Sequence, residues 1–423
     1  MFEVLAAALL VSLLMVLLTV RLRNARFNVL GTGLITILVI ASAGAAWNYR
    51  AVVERQQPIT DRPIEIESDG YVSSQTCQAC HPREYATWHR SYHRTMTQVA
   101  TPETVVGNFG VTIQFSGQMF HLQRRGDEFW VDLEDPDWEG EGEKPPRIER
   151  QVVLTTGSHH RQFYWFATGK SRYLAQLPFI YLMDEQRWTY RRNAFLAPPS
   201  TDLSMEAGVW NVVCIQCHTT HAQPMFEGYG NDIDSRAAEF GISCEACHGP
   251  AEQHVELNRD PQRRYQHHWN NQSDTSIVQP EHLSPQLSAQ VCGQCHSAYE
   301  PYLTTNKPTA KPNYVIYHGW PYQPGQDLTE TRLIVQDTEE KRKLPMMQDV
   351  LNHPTFMERR FWSDGMIRIA GREYNGLIET PCYTHGDEEA GIMTCLSCHN
   401  MHMDADDPRS LADWSNDQLQ RGM

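Results

Sequence analysis

Five times along its 423 residues the chain reads Cys-x-x-Cys-His: at Cys77, Cys80 and His81; Cys214, Cys217 and His218; Cys244, Cys247 and His248; Cys292, Cys295 and His296; and Cys395, Cys398 and His399. With 11 cysteines and 19 histidines, a shuffled chain of this length would hold about 0.01 such patterns. The spacing carries its own chemistry. Two thiols three positions apart can each form a thioether to one vinyl group of a haem, and the histidine that follows then swings under the ring to ligate the iron. Each motif is read as one covalently attached haem c, five in all.

Two other uses of paired cysteines give a poorer account of the pattern. Zinc ribbons and fingers also use Cys-x-x-Cys units. They do not require a histidine directly after every second cysteine, and five pairs would leave one without a partner. Disulfides within each pair would close loops too small to stabilise the fold much. Cys382 is the one cysteine outside a motif. It reads as a buried, inert thiol, with a thiolate ligand or redox thiol as the alternatives.

The N-terminus and the charge bear on where the chain works. Residues 4–20 and 27–49 are uncharged, mostly apolar runs of membrane-spanning length, joined by a connector carrying Arg21, Arg23 and Arg26. The positive-inside rule puts that connector in the cytoplasm and sends both ends outward. The expectation is a retained two-helix hairpin in a bacterial inner membrane, with the haem domain facing the periplasm; a cleaved signal peptide is the alternative. The net charge is −15, and residues 1–50 hold four arginines against one glutamate, so the remainder carries −18. Nucleic acid is excluded as a partner on that balance. The partners expected are the membrane and a redox protein or membrane electron donor.

The organisation expected is a transmembrane hairpin over 1–50, a periplasmic tether over 51–75, a first haem segment over 76–107, a β-rich insertion over 108–200 and a domain holding haems two to five over 201–423. The insertion is marked by alternating runs such as Val111–Phe115 and Phe129–Leu133, separated by Gly117 and Gly126. Arg83–Thr97 reads as helical. The fold class expected is therefore a mostly α and irregular haem domain with a small antiparallel β insertion, preceded by the two-helix hairpin.

Fourteen histidines lie outside the motifs, more than five irons can use. A histidine on the same short helix as its motif cannot reach the opposite face of that haem, so it serves a neighbour or none. On this ground His221 and His402, each one helical turn beyond a proximal histidine, and His254, beyond Gly249-Pro250, are candidate sixth ligands of an adjacent iron. His93 follows the first motif on the expected helix, with His89 one turn away. His267 and His268 are the weakest candidates.

The flanking residues carry a resemblance. Tyr71-Val72, Trp88 with Ser91 and His93, Gly157-Ser158-His159-His160, the stretch from Cys244 through His248-Gly249-Pro250 to His254, Phe361-Trp362-Ser363-Asp364-Gly365, Arg372-Glu373-Tyr374-Asn375-Gly376, and His399 with His402 together resemble multihaem cytochromes of the cytochrome c-554-like group. These are related to hydroxylamine oxidoreductase and pentahaem nitrite reductase. The resemblance spans residues 71–420 and implies helices and loops around stacked haems. It also implies His93, His160, His254 and His402 as distal ligands, with His318 and His385 as further candidates. The nitrite reductases replace one motif histidine with lysine, whereas all five motifs here end in histidine.

The function expected is a membrane-anchored pentahaem electron conduit with mainly bis-histidine haems. The alternatives are an oxidoreductase with one five-coordinate haem acting on a small nitrogen or sulfur compound, and a haem subunit of a larger respiratory complex or filament. No catalytic residue is assigned.

Overall fold

The computed structural model describes residues 59–140, 144–197, 208–227, 233–270, 272–301, 314–353, 355–386 and 391–421. After the first motif the apolar/polar alternation becomes an antiparallel sheet. Its strands are β2 (Thr97–Val99), β3 (Thr112–Phe115), β4 (Gln118–Arg125), β5 (Glu128–Glu134), β6 (Arg147–Thr156), β7 (Arg161–Ala167), β8 (Leu174–Gln176), β9 (Phe179–Leu182) and β10 (Arg187–Tyr190), while β1 (Ile64–Glu65) lies elsewhere. The hydrogen-bonded order is β10-β9-β7-β6-β5-β4-β3, with β2 added on β6 and β8 on β7.

Turn chemistry fixes the register. Phe115 pairs with Gln118 across Ser116-Gly117, both at positive φ, the geometry that matches the right-handed strand twist in a two-residue hairpin. Alternation then sorts the faces: Phe120 and Leu122 on β4, and Phe129, Val131 and Leu133 on β5, are buried together. The sheet curls on itself. The ring of Tyr190 on β10 lies 4.1 Å from that of Phe115 on β3, so the two ends of the strand path meet through their side chains.

Strands β6 and β7 are buried on both faces. Val152, Tyr164 and Phe166 face the interior of the curl. Val153, Leu154 and Trp165 pack on a second cluster with Trp210, Ala222, Ala237, Phe240 and Ile215, the last lying inside the second motif. A register shift between Val152 and Leu154 lets neighbouring residues serve opposite faces. The curled sheet is thereby a wall on which the cysteine-bearing segments rest.

Two smaller sheets complete the β structure. One runs β1-β12-β11, with β11 at Thr219–Gln223 and β12 at Arg236–Phe240, β1 being parallel to β12; the other pairs β13 (Tyr299–Pro301) with β14 (Arg332–Ile334). Residues before the first motif are tied to the third: Val72 N–H donates to both carboxylate oxygens of Glu245 at 2.9 and 3.0 Å, and Ser74 hydrogen-bonds Glu239.

The expected fold class needs correction on three counts. The sheet is not a small insertion in a helical domain: it has nine strands and starts at Thr97, ahead of the expected boundary. Its central strands lose the two-residue alternation because both faces are covered. The helix read over Arg83–Thr97 spans Pro82–Arg90 and stops at Ser91; Thr97 already belongs to a strand. Among the described residues no helix is long and apolar enough to cross a membrane; the longest, Pro261–Asn270, has ten residues, against the ~20 that a bilayer requires. The hairpin expected over 1–50 lies outside the described residues. The inner-membrane location and the transmembrane part of the fold class rested on it and are not carried forward.

Trp165 is 1% exposed and donates its indole N–H to Thr156 at 2.9 Å. Trp165→Ala is expected to destabilise the protein by roughly 3–5 kcal/mol through the cavity it leaves. Denaturant unfolding monitored by far-ultraviolet circular dichroism measures this.

Candidate haem-binding site

The five motifs adopt tight helical turns that bring each pair of sulfurs to one side. In the first, fourth and fifth motifs the histidine N–H bonds back to the carbonyl of the first cysteine, at 2.8 Å for His81 to Cys77 and 2.9 Å for both His296 to Cys292 and His399 to Cys395. The second and third motifs lie in the short helices Ile215–His218 and Cys244–His248. All eleven cysteines are free of disulfides. Cys382 is exposed rather than buried, because the helix Pro381–Thr384 that carries it has no buried residue.

The motifs touch one another. Cysteines of different motifs lie close together in three places: Cys77 near Cys244, Cys217 near Cys295, and Cys292 near Cys395. These join the first motif to the third, the second to the fourth, and the fourth to the fifth. Among the described residues no three His, Cys, Asp or Glu side chains converge on a metal-sized point.

The imidazoles are arranged differently. An imidazole–iron–imidazole sandwich needs ring centroids about 6 Å apart, since each metal–nitrogen bond is about 2 Å and the ring centre lies about 1 Å behind the nitrogen. Three motif histidines have a second histidine at this distance: His81 with His254 at 6.2 Å, His296 with His93 at 6.3 Å, and His248 with His402 at 6.4 Å. Each second histidine comes from a distant part of the chain.

Hydrogen bonds at Nδ1 orient these rings. His248 donates to the Val278 carbonyl at 2.7 Å, His399 to the Asp417 carbonyl at 3.2 Å and His296 to Glu373 at 2.8 Å. His254 Nδ1 lies 3.2 Å from both Asp274 and the Asn258 amide. His93 meets the Gln418 side-chain oxygen, and His402 the Thr87 hydroxyl, each at 3.2 Å. Carbonyl and carboxylate oxygens only accept, so Nδ1 carries the proton in the first three and the neutral ring keeps its lone pair on Nε2. That is how metal-ligating histidines are held: the far nitrogen fixes tautomer and orientation.

Backbone packing supports the same rings. Gly241, at positive φ, donates to the His218 carbonyl at 3.2 Å, and Ile242 donates to the His93 carbonyl at 2.9 Å. A Cβ on Gly241 would press into the Arg94 carbonyl, so only glycine lets β12 lie this close to the segment bearing His93.

The other predicted ligands sit elsewhere. His221 stacks on Tyr71 at 4.2 Å and turns its Nε2 to Asp69 at 2.9 Å. His160 stacks on His159 and faces Asp184 on the surface. His318 lies against Tyr314 and Tyr317, and His385 is exposed beside Thr384. None of these four has a ring contact with a motif histidine among the described residues. Sequence reasoning missed the Nδ1 acceptors Glu373, Asp274, Gln418 and Thr87; no spacing rule marks them, because each reaches its histidine only through the fold.

Residues 195–249, which include the second motif and the third, match the family described as cytochrome c554 and c-prime. With the five motifs, the match supports a c-type cytochrome, which binds haem c covalently and transfers electrons. No curated protein matches the sequence. A solved structure, that of the outer cell wall cytochrome OcwA, aligns with 17% identity and a TM-score of 0.47, covering 83% of this chain and 65% of that one. The chain thus spans less than two thirds of that cytochrome's length.

Burial pushes the imidazoles of His93 and His218 down to about 4, with His296 adding to the shift in both. They are therefore neutral and ready to ligate at pH 7. Their folded values lie below the unfolded value, so the unfolded chain takes up protons first as pH falls from about 6.5. Before haem attachment, stability is expected to decline from about pH 6.5 to about pH 4 and then level off, by up to about 3 kcal/mol per histidine. Urea unfolding across that range checks it.

Glu373 has the opposite effect on His296: burial pulls that imidazole down, but the carboxylate outweighs it and the net shift is upward. A carboxylate on Nδ1–H raises ligand basicity and favours the ferric state. Glu373→Gln is expected to raise one haem midpoint by on the order of 50 mV, nearly a tenfold change in a one-electron equilibrium. Potentiometric titration of the purified protein reads it.

Proposed function

We propose that this chain is a pentahaem cytochrome that relays electrons along closely spaced, mainly bis-histidine haems. The observation carrying the reading is the set of three imidazole pairs at 6.2–6.4 Å, each joining a motif histidine to a second histidine whose Nδ1 is already bonded. Bound haem iron supplies ferric/ferrous exchange at potentials set by its ligands and surroundings.

The chain's own residues do the rest. Ten cysteines tether, five motif histidines ligate from one side, and His93, His254 and His402 ligate from the other. The first and third, second and fourth, and fourth and fifth motifs adjoin one another, so haems bound there would be neighbours, with the fourth motif next to two others. The acidic surface suits a redox partner protein with a complementary basic patch.

A pyridine haemochrome assay is expected to give five haems per chain; a lower count would sink the pentahaem reading. His254→Ala is expected to convert one haem from low spin to high spin with no loss of haem, seen by electron paramagnetic resonance. An unchanged low-spin spectrum in that variant would remove His254 from the ligand set.

A further inference from the structure

Among the described residues one arginine is fully buried, and it sits among the cysteines. Arg332 on β14 is 1% exposed. Its guanidinium donates to the Gln294 carbonyl at 2.8 Å and lies 4.5 Å from the ring centres of both Tyr299 and Trp320. Among the described residues no carboxylate stands within ion-pair distance of it. Glu245, Tyr322 and Cys295 line the same cavity as Arg332. Glu245 makes no ion pair with it: its carboxylate accepts instead from the backbone N–H groups of Val72 and Ala251.

A buried charge is costly unless something nearby uses it. Carbonyl and aromatic partners satisfy the guanidinium's hydrogens and spread its charge, but they do not cancel it. The field therefore reaches the neighbouring motifs. Arg332 bonds Gln294 inside the fourth motif, and it shares its cavity with Cys295 and with Gln216, which lies between Cys214 and Cys217 and accepts from the Trp320 backbone N–H at 3.2 Å. In a low-dielectric interior such a field is far stronger than at the surface.

We infer that Arg332 is a positioning residue that raises the reduction potential of the haem attached through Cys214 and Cys217, making it the electron sink of the chain. The inference rests on the proposed haem attachment at those cysteines. Reduction removes one positive charge from the iron site, so a fixed cation nearby favours the reduced state. The haem on Cys292 and Cys295 feels the same cation, but there Glu373 on His296 opposes it. The haems of the second and fourth motifs are thereby split in potential, and electrons arriving at the fourth motif run on to the second.

The test compares Arg332→Gln and Arg332→Lys with the unaltered protein by potentiometric titration, with mass spectrometry of the haem peptides as the loading control. In Arg332→Gln one midpoint is expected to fall by at least a tenfold change in its ferric/ferrous equilibrium and a second by less. In Arg332→Lys, which keeps the charge, the midpoints stay near those of the unaltered protein. Unchanged midpoints in the fully loaded glutamine variant overturn the inference, and so does an equal fall in the lysine variant, which would mark a packing effect. Loss of haem from the Cys217 or Cys295 peptides in both variants also overturns it by assigning Arg332 a structural role. Absence of haem from those peptides in the unaltered protein instead overturns the pentahaem reading on which it rests.

Discussion

The proposed bis-histidine sites depend on pairs of imidazoles a little over 6 Å apart, a separation that fits the length of two metal–nitrogen bonds. Five of the six rings are held from behind at Nδ1, by Val278, Glu373, Asp274, Gln418 and Thr87, and these partners come from most of the chain. His93, for instance, is held by Gln418 near the C-terminus, and His402 by Thr87 near the first motif. The two ends of the haem-bearing region are thereby fastened across each other.

The curled sheet gives this arrangement something to rest on. Its central strands β6 and β7 are buried on both faces. Leu154 and Trp165 turn outward to Trp210 and Ile215, which lead directly into the second motif. The price of two covered faces is that neither strand keeps a simple alternation.

Charge divides the site between two tendencies. Carboxylates stand behind His296 and His254, whereas the guanidinium of Arg332 stands beside the second and fourth motifs without a carboxylate partner among the described residues. The placement of these few charges, rather than the net −15, distinguishes one motif from another.

Spacing along the sequence was enough to determine the motifs, the hairpin at Ser116-Gly117, and the candidacy of His93, His254 and His402, because attachment, tight turns and one-turn reach are local properties of the chain. The sheet's extent was only half legible: β4 and β5 alternate openly, but β6 and β7 do not, since burial on both faces erases the period. Cys382 was misread for a similar reason, exposure being decided by what a helix packs against. Which histidine meets which could not be read at all. His81 with His254, His296 with His93 and His248 with His402 are neighbours only after the chain has crossed itself, and so are Glu373 behind His296 and Arg332 beside Cys217. Only the tertiary structure decides these pairings, because they act across a few ångströms of space between residues that local geometry leaves unconnected.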